Sequence, residues 1–147
     1  MFFCKLELPD EGINVVSTIP KCILGTINFE MQSSMCEKCI KNTAWLRYPK
    51  VLLIVTSRAS FKDFELVKIE KAISIPKYFN FGLNVFNLNS VISHLGNSCI
   101  DGHYTSDIKR DDTWYHTSDS KVTKMSETEV MQNNMSTSTI VVYESSA

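Results

Sequence analysis

Long apolar runs are what this sequence most plainly lacks. No stretch of its 147 residues approaches the ~18 consecutive apolar residues of a membrane-spanning helix, so none is expected. A secretory leader is not expected either. Met1-Phe2-Phe3-Cys4 is followed at once by Lys5, Glu7, Pro9, Asp10 and Glu11, which leaves too short an apolar region. An excess of one charge is also missing. Fifteen Lys and Arg face sixteen Asp and Glu, a net charge of −1, and this balance argues against a nucleic-acid or membrane-surface partner. The five cysteines are odd in number and unevenly spaced. With no leader, that favours reduced thiols of the cytoplasm or nucleus over a disulfide framework.

What is present is an ordinary globular composition, 44% hydrophobic and 21% charged, at a length where roughly 70% of the chain's surface can be buried. The most informative stretch is Val85–Ile108. Its first part alternates, with Phe86, Leu88, Ser90 and Ile92 on one side and Val85, Asn87, Asn89 and Val91 on the other, the pattern of a strand. Asn97 to Gly102 is turn chemistry throughout. His103 therefore stands where a second strand, Tyr104–Ile108, leaves a turn. A side chain there is held rigidly yet stays open to substrate, so His103 reads either as a general base or as an ordinary strand-end histidine.

Elsewhere the chain reads mostly as strands. Cys4–Leu8 and Phe64–Ile69 alternate, and Cys22–Phe29 fits a strand or a turn or two of helix. Val51–Val55 is a continuous apolar run, as expected of a strand buried on both faces. Arg58, just beyond it, reads on its own as a surface charge. Lys109 to Asp112 makes a charged turn and Trp114-Tyr115 opens a third strand. Thr128–Asn133 follows Ser126 as a helix whose first turn is favoured by Glu127 and Glu129. Ile140–Tyr143 is a closing strand.

The wording FNLNSVISHLGNSCIDGHYTSDI, then Trp114, Ser118-Asp119, Val122 and IVVYE at 140–144, resembles the carboxy-terminal half of the ubiquitin-specific proteases. These are papain-like cysteine hydrolases that cut the bond after the ubiquitin tail. PKVLLIVTSRASF (49–61), ISIPKYF (73–79) and MCEKC (35–39) agree with the family in order, and the resemblance runs from about Leu6 to Tyr143. It implies an α+β fold over residues 1–147: a mostly antiparallel palm with the histidine box at about 49–144, and a truncated zinc-ribbon finger remnant at about 22–48. It implies His103 as the catalytic base, with Gly102, Tyr104 and Trp114 on the substrate side. The third catalytic position, counted from Trp114, falls on Ser118, with Asp119 next, where the family carries Asp or Asn. It makes Arg58 a residue that holds the palm core. Cys36 and Cys39 match half a zinc ligand set. Zinc needs four ligands, and neither Cys4 nor Cys22 forms a second pair. CEKC therefore reads more simply as a fingertip turn that has lost its metal, and no cofactor is expected.

A cysteine hydrolase needs a thiolate, an imidazole to take and return its proton, and a third residue to orient that imidazole. In the family the cysteine opens a helix in an Asn-x-x-Cys-like box. None of Cys4, Cys22, Cys36, Cys39 or Cys99 sits in such a box. Cys99 is four residues from His103 but lies around the same turn, as a loop thiol. A serine at 118 can accept the imidazole N–H bond but cannot neutralise an imidazolium, and an uncharged orienting residue costs ~10⁴ in rate in serine-protease triads. Asp119 would need a one-residue slip, which turns side chains to the opposite face. The expectation is a deubiquitinase by family, catalytically incomplete as this chain, with ubiquitin or ubiquitinated proteins as partner. The alternative is a non-catalytic ubiquitin- or partner-binding remnant. A third reading is a half-domain whose exposed strand edges favour aggregation.

Overall fold

In the computed structural model the longest strand grows from the alternating stretch at the middle of the sequence. The structure describes residues 2–8, 17–18, 28–33, 36–42, 48–81 and 83–146. In chain order these form β1 (Phe2–Glu7), β2 (Ser17–Thr18), β3 (Asn28–Ser33), β4 (Cys36–Asn42), β5 (Val51–Ser57), β6 (Ala59–Lys62), β7 (Glu65–Lys68), β8 (Ile73–Ser74), β9 (Tyr78–Phe81) and β10 (Asn84–Leu95). There follow β11 (His103–Arg110), β12 (Thr113–Ser118), β13 (Lys121–Met125), helix α1 (Glu127–Asn133) and β14 (Ser138–Ser146). The principal sheet runs β1-β5-β14-β10-β11-β12-β13, with β9 also on β10. β1 is parallel to β5 and the other pairs of this sheet are antiparallel. The described fold is thus mostly antiparallel β with one helix. No helix among the described residues is long and apolar enough to cross a membrane.

β10 is long because it serves three partners. β14 covers one edge, while β9 and then β11 share the other. Its burial does not follow one alternation. Phe86 and Leu88 are buried, and so are Val91 and Ser93, an even phase giving way to an odd one. The pairing with β14 shifts register between Leu88 and Ser90. An extra residue there is a β-bulge, which moves later side chains to the other face. The expected grouping of Phe86 and Leu88 with Ser90 and Ile92 therefore holds only up to Leu88. β5 also departs from expectation. Leu52, Ile54 and Thr56 are buried, but Val51, Leu53 and Val55 are only half-buried, so one face of this strand is closed rather than two.

The helix closes the core from one side through Val130, which has no exposed surface. Its start is the predicted one within a residue. Ser126 is the N-cap, its hydroxyl accepting from the Glu129 backbone N–H while the Glu129 carboxylate accepts from the Ser126 backbone N–H, a capping box. These bonds hold the Glu129 carboxyl below its usual range. The stabilisation is full above the ordinary glutamate range and is lost as pH falls through the lowered value. Tyr143 lies at the centre, fully buried, its hydroxyl donating to the Pro76 carbonyl at 2.8 Å, and burial raises its phenol well above the ordinary value.

Arg58 is not a surface charge. It is 6% exposed, and its guanidinium reaches two separate segments. Nε donates to the Ser138 carbonyl at 2.6 Å, Nη1 to those of Ile69 and Lys71 at 3.1 and 2.8 Å, and Nη2 to that of Met135 at 2.8 Å. Burial pushes it down to about 10, against an opposing pull from the Glu70 carboxylate.

Two expected features fall elsewhere or out of view. CEKC lies within β4, opposite β3, rather than at a turn, with Cys39 across from Met31 and Cys36 across from Ser33. The side chains of Cys4, Cys22, Cys36 and Cys39 lie outside what the structure describes, as do the other side chains of 22–47. The strand expected at Phe64–Ile69 is shorter, Glu65–Lys68, because Asp63 and Phe64 form the turn with φ of 49° and 65°.

Candidate active site

The loop before β11 is closed by its two glycines. Gly96 and Gly102 face each other at the mouth, and a Cβ on Gly96 would press on the Asp101 carbonyl. A Cβ on Gly102 would overlap the Leu95 carbonyl and the His94 ring. Leu95 and His103 are register partners on β10 and β11, so the mouth has no room for a side chain there. Gly102→Ala is expected to cost about 1–3 kcal/mol as an overpacked site with a backbone neighbour that cannot rotate away. Urea unfolding gives that number, and a displaced His103 ring resonance would show the loop re-laid. An unchanged midpoint and ring signal would refute it.

His103 is the first residue of β11. Its Nε2 lies 2.8 Å from the Ser118 hydroxyl at the end of β12. The β11–β12 hairpin sets this meeting. Its turn is Asp111-Asp112, both at positive φ (45° and 59°), which is the twist that two-residue hairpin turns require. Asp119 follows Ser118 in the next turn, with φ of 51°. Its Oδ2 stands 3.9 Å from the same Nε2 and its side chain is 83% exposed. The turn, not a slip of the strand, brings it there. With Nε2 donating to Ser118, Nδ1 keeps the lone pair that can accept a proton.

The other expected residues are distributed differently. Tyr104 pairs with His94 across β10–β11, the rings 4.7 Å apart, on the face opposite His103. It is 64% exposed. Trp114 is 3% exposed and belongs to the core, and among the described residues its buried indole N–H has no partner. Cys99 has a free thiol whose hydrogen-bond partner is the Arg58 carbonyl at 3.9 Å, not the His103 ring.

One constellation on the His103 face had no counterpart in the sequence reading. Asp107 is 3% exposed, and its carboxylate accepts from His116 Nδ1 at 2.6 Å. Its other oxygen accepts from the Asn134 amide, which also donates to the Val130 carbonyl, while the Ser93 hydroxyl donates to Asn134. This chain of bonds ties β10, β11, β12 and the C-cap of α1 together. The available signal was a carboxylate in phase with Thr105 on an otherwise alternating strand. Among the described residues no group of three or more His, Cys, Asp or Glu converges on a metal position.

A family model described as ubiquitin carboxyl-terminal hydrolase matches residues 10–143. Among curated proteins, the chain is 34% identical over 96 residues to mouse ubiquitin carboxyl-terminal hydrolase 17-like protein C, covering 58% of this chain and 17% of the relative. It is 37% identical over 92 residues to human ubiquitin carboxyl-terminal hydrolase 17, covering 56% and 17%. The chain thus spans about a sixth of the length of these relatives. Among solved structures, the yeast SAGA DUB module superposes with a TM-score of 0.78 at 21% identity, over 98% of this chain and 34% of that one. A SAGA DUB module bound to ubiquitin aldehyde gives 0.77 at 19%, over 98% and 36%. At these identities the structures speak to the fold.

Proposed function

The chain belongs to the ubiquitin carboxyl-terminal hydrolase family, and from that membership we propose that it is the histidine-bearing half of a cysteine-type deubiquitinase catalytic domain. It binds ubiquitin or ubiquitinated proteins and does not hydrolyse the bond after the ubiquitin tail on its own. The observation that carries this reading is His103 Nε2 held at 2.8 Å by Ser118, at the mouth of a glycine-closed loop, with no thiol among the described side chains paired to the ring.

In this arrangement His103 serves as the base. Its Nδ1 takes a proton from a thiol and returns it to the leaving amine. Ser118 fixes the ring, and Asp119 supplies partial charge compensation from the turn. The thiol and the donors for the tetrahedral oxyanion come from a cysteine box outside these 147 residues. Gly102 shapes the loop that faces the ubiquitin tail. The segment at about 22–48 is a shortened finger, and a zinc ion on Cys36 and Cys39 would need two further ligands. No cofactor enters the chemistry. The place of action is the cytoplasm or nucleus, where reduced cysteines persist.

A ubiquitin probe with a thiol-reactive carboxy-terminal warhead tests the reading. We expect reversible binding of ubiquitin by the folded chain and no covalent adduct. An adduct lost in both Cys99→Ala and His103→Ala would overturn it and make those two residues a working pair. A folded chain with no measurable affinity for ubiquitin would also overturn it. The uncharged Ser118 favours a second reading, a ubiquitin-binding remnant that stays inactive even when a cysteine box is supplied.

A further inference from the structure

The loop that delivers His103 is tied to a neighbouring hairpin at two points. Lys68, the last residue of β7, donates from its ammonium to the His94 carbonyl at 3.1 Å and to the Gly96 carbonyl. Both acceptors lie where β10 leaves the sheet for the loop. At the other base of the same hairpin, the Arg58 carbonyl accepts from Cys99 in the middle of the loop and from the Ile69 backbone N–H at 2.9 Å. Ala59 and Lys68 are register partners, so these ties come from the two strands at one end of the β6–β7 ribbon. At the far end Phe61 is 77% and Phe64 fully exposed.

We propose that Lys68 is a positioning residue for His103. Its ammonium latches the mouth of the Gly96–Gly102 loop and so fixes where the imidazole stands relative to Ser118. The path is short. Lys68 holds Gly96, the Gly96 backbone abuts Asp101 and Gly102, and Gly102 is bonded to His103. Two glycines are the residues least able to hold a backbone by themselves. A cation between two carbonyls supplies charge-assisted bonds roughly twice as strong as neutral ones. The catalytic meaning of the latch rests on the reading of His103 as base, but the latch itself can be measured without turnover.

The experiment is NMR on the full chain labelled with ¹⁵N. In the unaltered protein the Lys68 ammonium protons should exchange with water much more slowly than those of exposed lysines. Lys68→Met should raise amide exchange across Gly96–Gly102 tenfold or more and shift the His103 ring resonances. Exchange in β10 and β14 should stay as it was, and Lys68→Arg should restore the loop. A Lys68 ammonium that exchanges like an exposed one overturns the proposal, and this arm stands even if Lys68→Met fails to fold. A folded Lys68→Met variant with native loop exchange and native ring shifts overturns it equally. Neither arm uses hydrolysis or ubiquitin, so failure of the latch is distinguishable from failure of the functional reading above.

Discussion

Arg58→Met should lower the stability of the chain by about 4 kcal/mol, because it leaves two part-buried carbonyls without this donor at about 1–3 kcal/mol each. The carbonyls of Ile69, Lys71, Met135 and Ser138 come from the segment after β7 and from the turn between α1 and β14. Thr56 still reaches Ser138 through its hydroxyl at 2.5 Å, so that acceptor keeps one partner. Met135 likewise keeps the Ile73 backbone N–H at 2.9 Å, so the Ile69 and Lys71 carbonyls are the ones that lose their side-chain donor. Burying that cation is costly in itself, which is why burial pushes it down to about 10. It stays charged at neutral pH, and the acceptors around it offset the burial. A methionine removes the charge but leaves the acceptors behind, so the compensation is lost with no matching gain. Arg58→Lys should recover little. One ammonium with three donors lacks the planar fork that spans four carbonyls. Against a typical total of 5–15 kcal/mol, either change should shift thermal unfolding by on the order of 10 °C in a chain of this size. Urea and thermal unfolding read this directly, and variants within about 1 kcal/mol of the unaltered chain would show that the hub is not structural.

Arg58 also shows where the sequence stops being legible. Local signals read well. The helix start was marked by Ser126 and its two glutamates, and β11 and β12 by Tyr104–Ile108 and Trp114-Tyr115 on either side of a charged turn. That turn is a two-residue hairpin connection, which is why counting from Trp114 leads to the residue beside His103. What could not be read were partners far apart in the chain. The acceptors around Arg58 lie 11 to 80 residues away, and a lone arginine at a strand end looks like a solvated charge until they are known. The bulge after Leu88 is a property of the β10–β14 pairing, not of either strand alone. Asp107 sits in a strand where polar residues normally point outward, and only the arrival of His116 and Asn134 makes it an inward position. Trp114 is a further case: the resemblance implied a place on the substrate side, and the structure puts its side chain in the core.

Ser118→Asp should be the most consequential change for catalysis. In the unaltered chain the imidazole is oriented by a hydroxyl, which holds the ring but offers no charge to an imidazolium. The carboxylate of Asp119 lies 3.9 Å from Nε2 and is 83% exposed, so water screens most of what it could contribute. Loss of a charged orienting residue costs ~10⁴ in rate where it has been isolated in a triad. Restoring one at 118, with Asp119 already giving part of the effect, should raise kcat by ~10²-fold or more. The assay joins this chain to the cysteine-bearing half of a full-length relative and follows release of a fluorogenic amide from the ubiquitin carboxy terminus. His103→Ala in the same assembly should abolish the gain. A folded variant whose turnover stays at the unaltered level would separate orientation from catalysis. It would leave the chain as a ubiquitin-binding remnant, because charge, ring and thiol would all be present and the reaction still would not run.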